Sequence, residues 1–203
     1  MLKTTYCIYS PDQYTGSAWR NGQGETTELL RANILGGDEF AWRLSKARVE
    51  SDGAFSIFSG YDRTLVLFAG NGAVLTHGVE PQKQQTTLAR RFSITRFCGE
   101  QETQSSLIDG AVINFNIMTR KNHCYCEVQV LNTPTFPRAQ TGADVTLIYA
   151  VDNAIEVAIG AETLTIAKDY LLAIQGRSLI KHLKGTGIYS HIFYVGDQAA
   201  ALN

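Results

Sequence analysis

Ten residues near the start of the chain concentrate groups that can do chemistry. Trp19-Arg20-Asn21-Gly22-Gln23-Gly24-Glu25-Thr26-Thr27-Glu28 holds an arginine, two glycines, two carboxylates and two hydroxyls. Gly22 and Gly24 can take positive φ and let a ligand or another strand approach the backbone closely. The stretch therefore reads as one wall of a ligand pocket. A glycine-rich turn entering an ordinary strand, with Arg20 and Glu28 solvated or paired, fits the same residues, and a short motif alone leaves both readings open. From Thr26 onward, strand alternation puts Thr26, Glu28 and Leu30 on one face.

Three further segments extend the polar theme. In Trp42 to Val49 the face bearing Arg43 and Ser45 continues into Ala47 and Val49. In Tyr61 to Leu67 the face bearing Tyr61 and Arg63 continues into Leu65 and Leu67, and in Asn114 to Arg120 one face carries Asn114, Asn116, Met118 and Arg120. Strand alternation thus sends Arg43, Arg63 and Arg120 from three strands toward the mouth of one barrel. A guanidinium offers a rigid donor fork that matches a carboxylate and keeps its charge when partly buried. Such a cluster needs anions. Glu25, Glu28 or Asp62 could supply them in a closed network, and a bound small acid is the competing account.

The sulfur and imidazole groups point elsewhere. His123-Cys124-Tyr125-Cys126 offers zinc-type ligands, yet alternation places Cys124, Cys126, Val128 and Val130 on one face, as in a half-buried strand with thiols as small apolar groups. No second CxxC and no HxH occurs. Cys98 reads as a core thiol, and no activated serine or cysteine nucleophile stands out. No metal and no cofactor is expected.

The elements that must position these groups are strands. Apart from short helical turns around Ser10 to Tyr14 and Gln101 to Ser106, alternating β-branched and aromatic runs dominate, among them Thr5–Tyr9, Thr26–Ala32, Phe40–Val49, Gly53–Phe58, Arg63–Ala69, Arg91–Ile94 and Val112–Thr119. Turn signals such as Gly36-Gly37, Gly70-Asn71-Gly72 and Gly185-Thr186-Gly187 separate them. The strand-turn-strand pattern of Thr64 to Gly72 returns at Val145 to Ala154, which suggests two stacked β barrels of similar design. The predicted division is an N-terminal barrel over 1–118, carrying the pocket, and a more aliphatic C-terminal barrel over 119–203.

At 203 residues, 44% hydrophobic and 18% charged, the chain can bury a sizeable core. A net charge of -1 argues against a nonspecific nucleic-acid binder. No apolar run approaches the roughly 18 residues of a membrane helix, and the first dozen residues lack a signal-peptide pattern. A soluble, cytoplasmic protein is expected, with no nucleic-acid or membrane partner.

Four motifs together resemble the HutD/Ves family: Trp-Arg-Asn-Gly-x-Gly-x-Thr-x-Glu at 19–28, Trp-Arg-x-Ser at 42–45, Phe-Ser-x-Phe-x-Gly-Tyr-Asp-Arg at 55–63 and Phe-Asn-x-Met-Thr-Arg at 115–120. They occur in the family's order, and Gln23 departs from it where a glycine is often found. The resemblance implies an all-β bicupin fold, two RmlC-like jelly-roll barrels in one chain, without an established enzymatic activity. It implies an association with bacterial histidine utilisation and a regulatory role through binding urocanate, formiminoglutamate or formylglutamate. Carried over residue by residue, it places Arg20, Asn21, Thr26, Glu28, Arg43, Tyr61, Arg63, Asn116, Met118 and Arg120 around the N-terminal pocket. Cupins commonly hold a metal through two histidines two residues apart; the corresponding strand here offers Tyr61 and Arg63.

The resulting expectation is a non-catalytic binding protein for a small carboxylate metabolite. Arg43, Arg63 and Arg120 would supply charge, Asn21 and Asn116 orientation, and Tyr61 one closing side, while Thr26 and Glu28 would hold the arginines or accept a ligand amino group. The alternative is a metal-free isomerase or hydrolase of the cupin type, with Glu28 as base or Tyr61 as acid. Homodimerisation through cupin edge strands is compatible with either.

Overall fold

Short alternating runs separated by glycine turns satisfy their backbone polar groups by pairing side by side. The computed structural model describes residues 5–19, 22, 24–132, 142–196 and, for the backbone alone, 200–202. Among these the only helical element is a single 3-10 turn, Pro11–Gln13. None of the described helices is long and apolar enough to cross a membrane.

In chain order the strands are β1 (Thr5–Tyr9), β2 (Thr15–Ala18), β3 (Gly24–Ile34), β4 (Phe40–Val49), β5 (Gly53–Ala54), β6 (Tyr61–Ala69), β7 (Ala73–His77), β8 (Gln84–Leu88), β9 (Ile94–Cys98) and β10 (Thr103–Leu107). There follow β11 (Val112–Arg120), β12 (Cys124–Asn132), β13 (Val145–Ala150), β14 (Ile155–Ile159), β15 (Glu162–Ile166), β16 (Leu171–Gln175), β17 (Ile180–Lys184), β18 (Thr186–Tyr194) and β19 (Ala200–Leu202).

They sort into two units. The first contains residues 15–123 and 200–202. Its larger sheet runs β19-β3-β4-β11-β6-β9 with β2 added to β3, and its smaller one runs β5-β10-β7-β8. Val49, Leu65, Leu67, Phe97 and Val112 from the larger sheet meet Leu75 and Leu88 from the smaller in one core. The second unit contains residues 5–14 and 124–196, with sheets β1-β16-β13-β18-β12 and β15-β14-β17. Ile148, Leu172, Ile174 and Tyr189 pack there against Ile155, Val157, Ile166 and Ile180. Full burial of such side chains stabilises by about 1.5–3 kcal/mol each.

The units are not continuous in sequence, as a cut at 118/119 assumes. β1 pairs along its whole length with β16 of the second unit, and β19 pairs with Ala32 to Ile34 of β3 in the first. Each terminus thus completes the sheet built mainly by the other half of the chain.

Three local departures from the sequence expectation have simple causes. Gln101 to Ser106 is not helical: Thr103 and Ser105 point inward and Gln104 and Ser106 outward, so polar residues at the buried positions disguise the period of two. The strand expected at Arg91 to Ile94 begins only at Ile94, because Phe92 takes a φ of 69° in the preceding turn. The segment after Gly53 keeps strand pairing for only two residues before it leaves the sheet.

Candidate functional site

The first unit encloses a cavity of about 480 Å³. Its floor is the inner face of β4, β11 and β6, where cross-strand register assembles rows of neighbours. One row is Glu28, Ser45, Asn116 and Leu65; the next is Arg31, Arg43, Met118, Arg63 and Phe97. Arg43, Ser45, Ala47 and Val49 all line the cavity, as strand alternation requires, together with Arg63 and Leu65 from β6 and Asn114 and Asn116 from β11. Trp19, Thr26 and Phe55 to Phe58 contribute walls, Ile57 excepted.

Phe58 is held between two cations. Arg43 and Arg63 lie 5.2 and 5.7 Å from its ring centroid. The stack continues: Arg43 is 5.2 Å from the Phe40 ring, Phe40 is 4.3 Å from Tyr61, and Arg120 sits 5.1 Å from the Tyr61 ring. Alternating cations with aromatic faces attracts each guanidinium to a ring quadrupole and keeps like charges apart.

Arg63 is the unusual member. It is only 8% exposed, contacts the rings of Phe55 and Phe97 at 5.0 and 5.1 Å, and donates one hydrogen bond, from Nη1 to the Ser56 carbonyl at 3.4 Å. Its Nε is buried without a partner, and among the described residues no carboxylate lies within ion-pair distance. Burial, aided by the charge of Arg43, lowers its pKa to about 10. Arg43 is better compensated. Burial lowers its pKa as well, but Glu28 opposes this from 4.0 Å, and Nη2 donates to the Met118 sulfur at 3.4 Å. The Oδ1 atoms of Asn114 and Asn116 are likewise buried and unpartnered. Two cations and two amides therefore face the cavity with hydrogen-bonding capacity unused, an arrangement that costs free energy until a guest supplies partners.

The residues expected around the pocket divide three ways. Thr26, Arg43, Arg63 and Asn116 line the cavity. Arg20 and Asn21 lie outside the described residues. Glu28, Tyr61, Met118 and Arg120 are close by without lining it, each for a physical reason. A bulge in β3 sets Glu28 opposite Ser45 and Leu30 opposite Leu44, so Leu30 turns to the other face and Arg31 takes the position beside Arg43. Glu28 consequently pairs with Arg31 at 3.7 Å and Arg43 at 4.0 Å. Tyr61 is buried under Arg120, its hydroxyl donating to the Phe40 carbonyl at 3.0 Å. Met118, fully buried between Arg43 and Arg63 in the row, spaces the two charges. Arg120 is occupied by Glu39 at 3.3 Å and the Ser59 carbonyl at 3.2 Å. Gly60, at φ 82°, is what lets it lie there: a Cβ would overlap Arg120 Nη1.

The glycine turn also resolves. A Cβ on Gly24 would overlap the Arg48 carbonyl and press on the Trp19 indole, so the close approach is made by the protein's own groups. The Trp19 indole nitrogen donates to Thr26 Oγ1 at 2.8 Å, fixing the ring as a wall. Phe55, Ser56 and Phe58 also line the cavity and are not among the residues expected there; their signal in the sequence is a pair of aromatics shortly before Arg63.

A metal does not fit this cavity. None of its lining residues is His, Cys, Asp or Glu, and two are cationic. Among the described residues no group of three or more such ligands is disposed to hold an ion. His77, whose ring packs on Phe97, uses Nδ1 on Thr103 Oγ1 at 3.0 Å.

Comparisons with known proteins give the family and the fold. The HutD family model matches residues 11–189. An uncharacterised 21.2 kDa protein from the hutC 3′ region of Pseudomonas putida is 30% identical over 175 residues, covering 86% of this chain and 89% of that protein. Protein Ves of Cronobacter sakazakii is 30% identical over 181 residues, covering 87% and 93%. The structure of HutD from Pseudomonas fluorescens SBW25 superposes with a TM-score of 0.78 at 24% identity, covering 95% of this chain and all of the other. The oxalate decarboxylase of Lactobacillus farciminis, at 7% identity and a TM-score of 0.64, covers 96% and 87% and shares the cupin-type jelly-roll fold.

Proposed function

Because the chain belongs to the HutD family, we propose that it is a binding protein for a small carboxylate metabolite of the urocanate, formiminoglutamate or formylglutamate class, with a regulatory role in the histidine utilisation to which the family is linked. The observation that carries this reading is Arg63, a nearly buried guanidinium that faces a cavity and has, among the described residues, no carboxylate within ion-pair reach. A ligand carboxylate would supply that partner, bridging Arg63 and Arg43, and a charge-assisted pair in such surroundings is worth more than one at the surface. Asn114 and Asn116 each offer an amide to a polar group on the rest of the ligand, and Trp19, Phe55 and Phe58 cover its apolar or planar part.

An enzymatic reading has less support, since Glu28 and Tyr61, its nominated base and acid, are engaged with protein groups and do not line the cavity. Thermal denaturation with urocanate, formiminoglutamate and formylglutamate tests the proposal. At a hundredfold excess over the dissociation constant, one of them should add about 2.7 kcal/mol of stability. No response to any of the three at millimolar concentration refutes it.

A further inference from the structure

Outside the cavity, at the ends of β9 and β11, a thiol, an amine and a carboxylate converge. Lys121, just past β11, places Nζ 2.8 Å from Cys98 Sγ at the end of β9 and 3.2 Å from Glu100 Oε2, which is itself 3.4 Å from the thiol. Cys98 is half-buried and Lys121 is 32% exposed, so small solutes reach both. The amine–sulfur separation is the informative quantity. N–H···O bonds run about 2.7–3.2 Å, and sulfur, being larger, normally holds an N–H donor several tenths of an ångström farther off. At 2.8 Å the atoms are too close for an ordinary N–H···S contact and too far apart for a direct N–S bond. One bridging oxygen, through an N–O and an S–O single bond, spans about that gap.

We propose that Cys98 and Lys121 are a modification site, joined on oxidation by a covalent Nζ–O–Sγ bridge. With peroxide as oxidant the step balances as one ammonium, one thiol and two hydrogen peroxide molecules giving the bridge, three waters and a proton. Sulfur and nitrogen each lose two electrons, and the two peroxides accept four. The surroundings hold the pair in place: Glu100 Oε1 accepts from the Gly60 amide at 2.8 Å, the Gly60 carbonyl accepts from the Lys121 amide at 2.8 Å, and Phe58 N donates to the Gly99 carbonyl at 2.7 Å. The bridge would tie β9 to β11 around the turn that carries Phe58 into the cavity wall.

The test is intact mass spectrometry and peptide mapping of the full-length folded protein after exposure to hydrogen peroxide, before and after dithiothreitol. The expected result is a gain of about 14 Da, one oxygen in and two hydrogens out, reversed by dithiothreitol, with the Cys98 peptide attached to Lys121. Lys121→Arg, which keeps the charge, and Cys98→Ser should each abolish it. An unmodified pair, a gain on Cys98 of whole oxygen atoms with Lys121 free, or a disulfide through Cys98 overturns the proposal.

Discussion

Replacing Arg63 by methionine should stabilise the empty protein and abolish ligand binding at the same time. The pKa lowered to about 10 corresponds to about 3 kcal/mol against the charged form, at about 1.4 kcal/mol per tenfold change in equilibrium. For a base held below its ordinary value, the unfolded chain binds more protons as pH rises through that interval, so the penalty is complete at neutral pH and fades only above pH 10. One guanidinium cannot face three rings squarely, so its contacts with Phe55, Phe58 and Phe97, at 5.0, 5.7 and 5.1 Å, together offset about 1–2 kcal/mol of it, the lower end of the range for such pairs. Methionine fills similar volume without the charge, so a net gain of about 1–2 kcal/mol is expected. For a chain of this length that is about 3–6 °C in Tm. Differential scanning calorimetry with and without the best carboxylate ligand reads both effects. Arg63→Lys, which keeps the charge but loses the planar stack, should be less stable than wild type. A methionine variant that melts several degrees below wild type would show that the guanidinium is structural, and the reasoning about an uncompensated charge would fail.

The remaining expectations concern neighbouring groups and the second unit. Asn116→Ala removes a buried, unpartnered Oδ1, so it should change stability by less than about 1 kcal/mol while weakening ligand binding at least tenfold by calorimetric titration. Glu28→Gln relieves Arg43 of its carboxylate at 4.0 Å; small carboxylates should then bind about two- to fivefold tighter, in keeping with a weak, part-exposed pair. Burial holds His191 at a pKa of about 4, below the usual value near 6.5, so the unfolded chain protonates first as pH falls. Stability should drop between about pH 6.5 and 4, and His191→Gln should flatten that part of the urea-denaturation profile. Gly60→Ala should cost 1 kcal/mol or more, about the scale of strain at a positive φ, because its Cβ would also displace Arg120.

Much of this architecture is legible in the sequence, because period-two alternation and glycine turns are strong local signals. Thr5–Tyr9 and Phe40–Val49 match their strands end to end, and the inward set Arg43, Ser45, Ala47 and Val49 follows from counting alone. The bulge in β3 does not: alternation joins Leu30 to Glu28, and only pairing with β4 reveals the reversal that brings Arg31 to that face. The same limit applies to Arg120. Alternation correctly gives it the same strand face as Met118, but its capture by Glu39 depends on a contact 81 residues away in sequence that no local pattern encodes. Cys98 shows the converse, since an apolar flank suggests a core thiol and the structure sets it beside Lys121 and Glu100. Exchange of the terminal strands is invisible for a related reason, as β1 and β19 have ordinary strand composition and nothing local names their partners.

That exchange governs how the molecule can be made and cut. During synthesis β3 must wait for residues 200–202 before the edge at Ala32 to Ile34 is covered, and β1 emerges long before β16, its template, exists. Early intermediates therefore carry open strand edges that favour sticking to other nascent chains. Fragments cut near residue 118 should each lack a strand and associate or aggregate, whereas mixing the two should rescue solubility by mutual donation of the missing strands.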